Sequence, residues 1–175
     1  MKLNKTMMAS VLALGVSSSA FAADQGHGKV TFAGSIIDAP CSISPEAADQ
    51  TVELGQISKV ALVGEGKSTP RKFSIDLENC SFAEKDAKNK VSATFTGMAA
   101  ENGRLAIGGT ASGASIAILD AAGKAIKLGQ QTTAQTLQNG NASLNFTAYL
   151  QGDGDKATIT EGDFQAVADF TLAYN

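Results

Sequence analysis

The amino-acid sequence predicts an all-β domain, a sandwich of antiparallel sheets. Three observations carry this. Apolar and polar residues alternate with period two along five stretches, glycine-containing turn signals punctuate the chain, and no long stretch repeats its apolar residues at the helical period. A strand with one apolar and one polar face must bury the apolar one, and two packed antiparallel sheets do that. Alanine, at 29 of 175 residues, favours helix and runs against the pattern, so helix is expected to be a minor component.

The stretches follow in chain order. Lys29–Ile36 sets Val30, Phe32, Gly34 and Ile36 against Thr31, Ala33 and Ser35. Gly34 interrupts the apolar face. Glycine weakens a strand, and it marks either a bend or a close backbone approach. Phe73, Ile75 and Leu77 alternate with Ser74, Asp76 and Glu78, and Val91, Ala93 and Phe95 with Ser92, Thr94 and Thr96. Between these two, the charged run Ser81–Lys90 suits a short helical turn. Leu144, Phe146, Ala148 and Leu150 alternate with Ser143, Asn145, Thr147 and Tyr149. Last, Phe164, Ala166, Ala168, Phe170, Leu172 and Tyr174 share one face almost to the final residue. Turn signals stand at Gly64-Glu65-Gly66, Asn102-Gly103, Gly108-Gly109, Ala122-Gly123, Asn139-Gly140 and Gly152-Asp153-Gly154-Asp155. By composition, the glycine-rich turns between Gly97 and Gly113 are candidate exposed loops.

Residues 1–22 read as a secretory signal peptide. Lys2 and Lys5 form a positive leader, Met7–Val16 is a short apolar run, and Ala20-Phe21-Ala22 is an A-x-A cleavage site. The run is far shorter than the ~20 residues of a membrane span. Cleavage after Ala22 leaves 153 residues with a formal charge of −5, because Lys2 and Lys5 leave with the leader. A single domain of that size buries roughly 68–70% of its unfolded surface, enough for a core without metal. The acidic balance argues against nucleic acid and an anionic membrane surface. Export also bears on Cys41 and Cys80. In an oxidising compartment such a pair suggests a disulfide; two free thiols or half a zinc site is the rival reading.

The residue types needed for catalysis do not come together. The one histidine, His27, lies in a glycine-flanked polar segment close to the expected mature start, which disfavours a Ser-His-Asp site. The carboxylates fall mostly in turns and on polar strand faces, against a glycosidase pair. Asp153-Gly154-Asp155 with Glu161 resembles a calcium loop only superficially and reads as a turn. The run Gly108–Gly113 lacks the Lys-Ser/Thr of a phosphate-binding loop. No enzyme activity, cofactor or metal is therefore expected.

The two ends and the cysteines together resemble one family. The segment from Gly26 to Ile43, with Val30-Thr31-Phe32-Ala33-Gly34-Ser35-Ile36 and Ala39-Pro40-Cys41-Ser42, is similar to the mature start of chaperone–usher pilus subunits. It is most similar to the major rod subunits of P pili and mannose-resistant fimbriae. Leu54-Gly55-Gln56-Ile57, Leu77-Glu78-Asn79-Cys80 and the ending from Thr160 to Asn175 resemble the same family. The middle, Ser81–Lys127, adds little.

The resemblance implies an incomplete immunoglobulin-like sandwich lacking its last strand. It implies a division into a signal peptide (1–22), an N-terminal donor extension (23–38) and a pilin domain (39–175). A periplasmic chaperone then lends the missing strand until the extension of another subunit replaces it at an outer-membrane usher, a form of strand addition. On this resemblance Gly28, Val30, Phe32, Gly34 and Ile36 are donor positions, Gly34 being the small one that leaves a pocket open to exchange. Gly162, Phe170, Leu172 and Tyr174 flank the acceptor groove. The Asn175 carboxylate is held by basic chaperone residues, and Cys41–Cys80 joins neighbouring strands. The implied product is a structural, non-enzymatic subunit of a surface fimbria, with other subunits as partners. A minor adaptor or terminator subunit and a free-standing secreted β-sandwich binding protein are the alternatives. A two-domain tip adhesin does not fit in 153 residues.

Overall fold

A computed structural model describes residues 27–82 and 88–175. The expected signal peptide lies outside the described residues, as does the middle, 83–87, of the expected helical turn after Cys80; its described ends, Ser81, Phe82 and Lys88 to Lys90, are not helical. The chain divides into two units, 1–37 and 38–175.

In the first unit residues 27–37 carry neither helix nor strand. Val30, Phe32, Ile36 and Ile37 are all exposed, Phe32 to 91%. The alternation at Lys29–Ile36 thus forms no strand in the single chain. Extended backbone is held by a ladder partner, and an unpaired segment has none to exchange hydrogen bonds with.

The second unit is an antiparallel β structure. Its strands are β1 (Ser42–Ile43), β2 (Arg71–Cys80), β3 (Lys90–Gly97), β4 (Leu105–Ala106), β5 (Gly108–Gly109), β6 (Ala114–Leu119), β7 (Gln135–Thr136), β8 (Gly140–Gly152), β9 (Phe164–Gln165) and β10 (Ala168–Tyr174). One sheet has the order β1-β2-β8-β6-β4, a second β10-β3-β7, and β5 and β9 form a separate pair. Helix is minor, as expected: α1 (Pro45–Ala48) and a 3-10 turn at Lys59–Leu62. Ser44 starts α1 by accepting the Ala47 N–H on its side chain, and Pro45 sits where the missing N–H costs nothing.

The alternation seen in the sequence sets the core. Phe73 pairs with Phe146 and Ile75 with Leu144 across β2 and β8. These side chains meet Val91, Ala93 and Phe95 of β3, and the cluster is almost wholly buried apart from the half-buried Phe73. Phe95 and Phe146 pack edge to face at 5.1 Å between ring centroids, and Phe73 stacks on Phe146 at 5.4 Å.

One interruption of that period has a clear result. The β2–β8 register shifts between Leu77 and Cys80, where Asn79 takes a positive φ of 52°. Asparagine tolerates that region better than most residues. The bulge reverses the in–out phase, so Leu77 and Cys80 both point inward despite an odd separation. Cys80 thereby meets Cys41 in a buried disulfide at the β1–β2 edge. Alongside it the Ser81 N–H donates to the Pro40 carbonyl at 2.9 Å.

The Gly97–Gly113 stretch is largely exposed, as expected, but it is not loop throughout. It contains β4 and β5, and Leu105 is buried. Short strands of two residues carry too little periodicity to be read from composition. Asp153, of the superficial calcium-loop pattern, takes protein donors instead: the Ser115 hydroxyl at 2.6 Å, the Asn102 amide at 2.9 Å and Arg104 at 3.3 Å.

Candidate functional site

A cleft of about 1250 Å³ opens between two stretches of backbone in the second unit. One rim is Ala47–Ile57. Beyond α1 this rim is neither helix nor strand and, among the described residues, pairs with no strand. Gln50 ties it down by donating its side-chain amide to the Ser74 carbonyl at 3.0 Å, and Leu54 anchors it by burial. The other rim is Ile159–Phe170, comprising β9 and the start of β10. The floor is apolar, with Ile75, Phe95, Ile116, Ile118 and Leu150 among its residues.

The second rim is an edge. Among the described residues β10 pairs with β3 and with no other strand. Its register places Phe170 opposite Phe95, Leu172 opposite Ala93 and Tyr174 opposite Val91. Directly opposed residues in an antiparallel pair share a face. The three β3 residues are buried, but Phe170, Leu172 and Tyr174 are only half-buried. The inward face of β10 is thus partly uncovered, and its outer edge leaves N–H and C=O groups without ladder partners. Such an edge is a template for one more strand.

The expected site residues fall as follows. Gly162 and Phe170 line the cleft. Leu172 and Tyr174 continue the same face of β10 beyond it, and partial burial raises the Tyr174 phenol above its usual pKa. Asn175 is exposed and closes the ladder through reciprocal backbone bonds with Lys90, at 2.8 and 3.2 Å. Gly162 has φ +151°, and a Cβ there would collide with the Thr110 hydroxyl and the Ala111 nitrogen. Its glycine is therefore explained by close approach within this chain. Gly28 and Gly34 are different: a Cβ at either would meet no atom within 4 Å.

Sequence reasoning missed the first rim, whose Leu54-Gly55-Gln56-Ile57 carried only a resemblance. It also missed β6, where Ala, Ser, Ile and Leu give both faces a similar polarity and blur the alternation.

Residues 30–175 match the family model described as fimbrial protein. The chain belongs to the fimbrial protein family. It is 64% identical to the Fimbria A protein of Serratia marcescens and 53% identical to the Major MR/P fimbria protein of Proteus mirabilis, with 99% of both chains covered in each case. The crystal structure of the P pilus rod subunit PapA superposes with a TM-score of 0.71 at 35% identity, over 78% of this chain and all of that one. A subunit from the structure of a chaperone–usher pilus gives 0.78 at 39% identity, over 86% of this chain and 97% of the other. The fold of this fimbrial subunit is therefore the immunoglobulin-like pilin fold. Its relatives are structural proteins, in line with a role that is not enzymatic.

Proposed function

We propose that this fimbrial subunit is the major building block of a chaperone–usher fimbria and polymerises by donor-strand exchange. The observation that carries the reading is the half-buried inward face of β10 beside an apolar cleft whose other rim, among the described residues, pairs with no strand. A sandwich with this gap takes one extra strand, gaining backbone hydrogen bonds along β10 and apolar burial in the cleft.

The segment Gly28–Ile36 suits that strand. It spans nine residues, as does the rim from Gly162 to Phe170, and nine residues of β-strand extend over roughly 26 Å. In this reading Val30, Phe32 and Ile36 enter the cleft of a neighbouring subunit, with Gly28 at the first position. Gly34 leaves one position unfilled, so that an incoming strand can displace a resident one. Among the described residues no contact requires glycine at 34, which supports a role outside the chain. Phe170, Leu172 and Tyr174 of β10 form the receiving strand, and Gly162 lies on the rim that leads into it.

Before assembly a periplasmic chaperone supplies the strand, with its basic residues on the Asn175 carboxylate, and hands the subunit to an outer-membrane usher. Removal of residues 1–22 on export releases the extension 23–38 ahead of the pilin domain 39–175. The rank of major subunit rests on the high identity to a major fimbria protein.

The test is an unboiled denaturing gel of fimbriae sheared from cells expressing the subunit with its chaperone and usher, beside a Val30–Ile36 deletion. A ladder of multimers that collapses on strong heating and is missing from the deletion is expected. Monomer in both lanes, soluble without chaperone, overturns the reading.

A further inference from the structure

The second rim of the cleft is held by a different partner at each end. From Thr158 to Gln165 it runs against the stretch Gly108–Gly113. Gly109 pairs with Phe164, and Ser112 and Thr160 exchange backbone bonds at 3.0 and 3.3 Å. The N–H groups of Thr110 and Ala111 both donate to the Asp163 carbonyl, at 3.0 and 3.1 Å. The contact is backbone against backbone. A Cβ at Gly109 would strike the Asp163 carbonyl, and one at Gly113 the Thr158 carbonyl. Among the described residues a single side-chain hydrogen bond joins the two stretches: Asp163 N–H donates to the Thr110 hydroxyl at 3.0 Å. That hydroxyl occupies the space left by the missing Cβ of Gly162.

Beyond Gln165 the rim loses this partner and pairs with β3 instead, from Ala168 onward. The clasp is therefore the last fixed point before the edge that an added strand reads. Lys59, in the 3-10 turn just past the first rim, also reaches Glu161 of the second, at 3.7 Å, but both are largely exposed, and such pairs contribute little.

We propose that Thr110 is a positioning residue for strand addition: by accepting the Asp163 N–H beside Gly162 it holds the rim in the one register that an inserted strand can follow. This rests on the strand-acceptance reading above. It assigns a role to a residue of the glycine-rich stretch that touches no inserted strand by itself.

The experiment uses the mature subunit purified with its periplasmic chaperone, and a synthetic peptide of residues 28–37 as the incoming strand. Peptide uptake, peptide release, and amide hydrogen exchange of residues 160–164 are measured for wild type, Thr110→Val, Thr110→Ser and the exposed-face control Thr96→Val. Thr110→Ala replaces the valine variant if that one does not fold. Loss of one hydrogen bond predicts release about fivefold faster. Amides 160–164 should exchange faster in Thr110→Val, Thr110→Ser should restore both readouts, and Thr96→Val should change neither. Wild-type release from Thr110→Val, or no rescue by serine, overturns the proposal alone. A wild-type complex that takes up no peptide overturns strand acceptance and this proposal with it.

Discussion

Phe95 and Phe170 face each other across the β3–β10 ladder, their ring centroids 6.3 Å apart, yet Phe95 is 3% exposed while Phe170 is only half-buried. The asymmetry has a topological cause. Around Phe95, β3 is bonded on both sides, to β10 and to the 129–132 backbone, whose Gly129 N–H donates to the Phe95 carbonyl, whereas β10 among the described residues pairs with β3 alone. The aromatic cluster of Phe73, Phe146 and Phe95 thus runs to an edge and stops at a ring that nothing covers fully.

Truncating that ring tests what completes the cluster. Phe170→Ala should destabilise multimers by about 3 kcal/mol, the low end for a Phe→Ala cavity. Denaturant melting of sheared fimbriae against wild type reads the difference. An unchanged midpoint would mean that Phe170 stays at the surface in the fibre.

Gly34 discriminates between donating and receiving. Gly34→Asn adds a side chain where the single chain offers open space, so folding and chaperone capture should be unaffected. Polymerisation should slow or stop, because the larger side chain has to fit the neighbour's cleft. Co-purification with chaperone and the multimer ladder are the two readouts; normal fimbriae from Gly34→Asn would remove Gly34 from the donor strand.

The buried disulfide closes a loop of 39 residues. In the chain-entropy account such a loop is worth about 4 kcal/mol, mostly by restricting the unfolded chain. Replacing both cysteines by serine should lower the urea midpoint accordingly and reduce recovery of the subunit with its chaperone. A reductant should lower the wild-type midpoint and leave that of the double variant unchanged.

Asp120 carries a pH dependence of known sign. Burial of its carboxylate works to raise the pKa. The N–H groups of Lys124 and Ala122, at 2.9 and 3.0 Å, and hydrogen bonds from Thr133 outweigh this and hold the pKa below the usual carboxylate value. A depressed folded-state pKa stabilises the protein above the unfolded value near ~3.9. That stability is lost as pH falls through the lower, folded value. Asp120→Asn should therefore lower stability at neutral pH and flatten its fall below about pH 4. Melting temperatures of the two proteins across pH 2–7 check both.

Much of the fold was legible because β alternation is local. The runs at Phe73, Val91 and Leu144 each contain their own in–out pattern and each became a strand with its expected apolar residues inward, whereas the run from Phe164 is broken at 166–167 into β9, which pairs with β5, and β10, which pairs with β3. The glycine-rich middle was less legible. β4 and β5 are two residues long, and β6 is apolar or small on both faces, so neither length nor contrast marked them. Cys80 shows another limit. Its inward direction depends on the bulge at Asn79, and a register shift belongs to two strands rather than to one.

The sequence by itself determined which residues of each long strand face the core, the alternating segment at 28–36, and the family likeness of the two ends. Tertiary structure alone decided that Ala47–Ile57 stands across from β10, that Ile116 and Ile118 floor the cleft between them, and that Gly162 has to be glycine because Thr110 lies against it. The physical reason is that alternation records which face of a strand is apolar but not how many neighbours the strand has. A missing neighbour is a property of the assembled sheets, and it shows only where Phe170 remains half-buried opposite a fully buried Phe95.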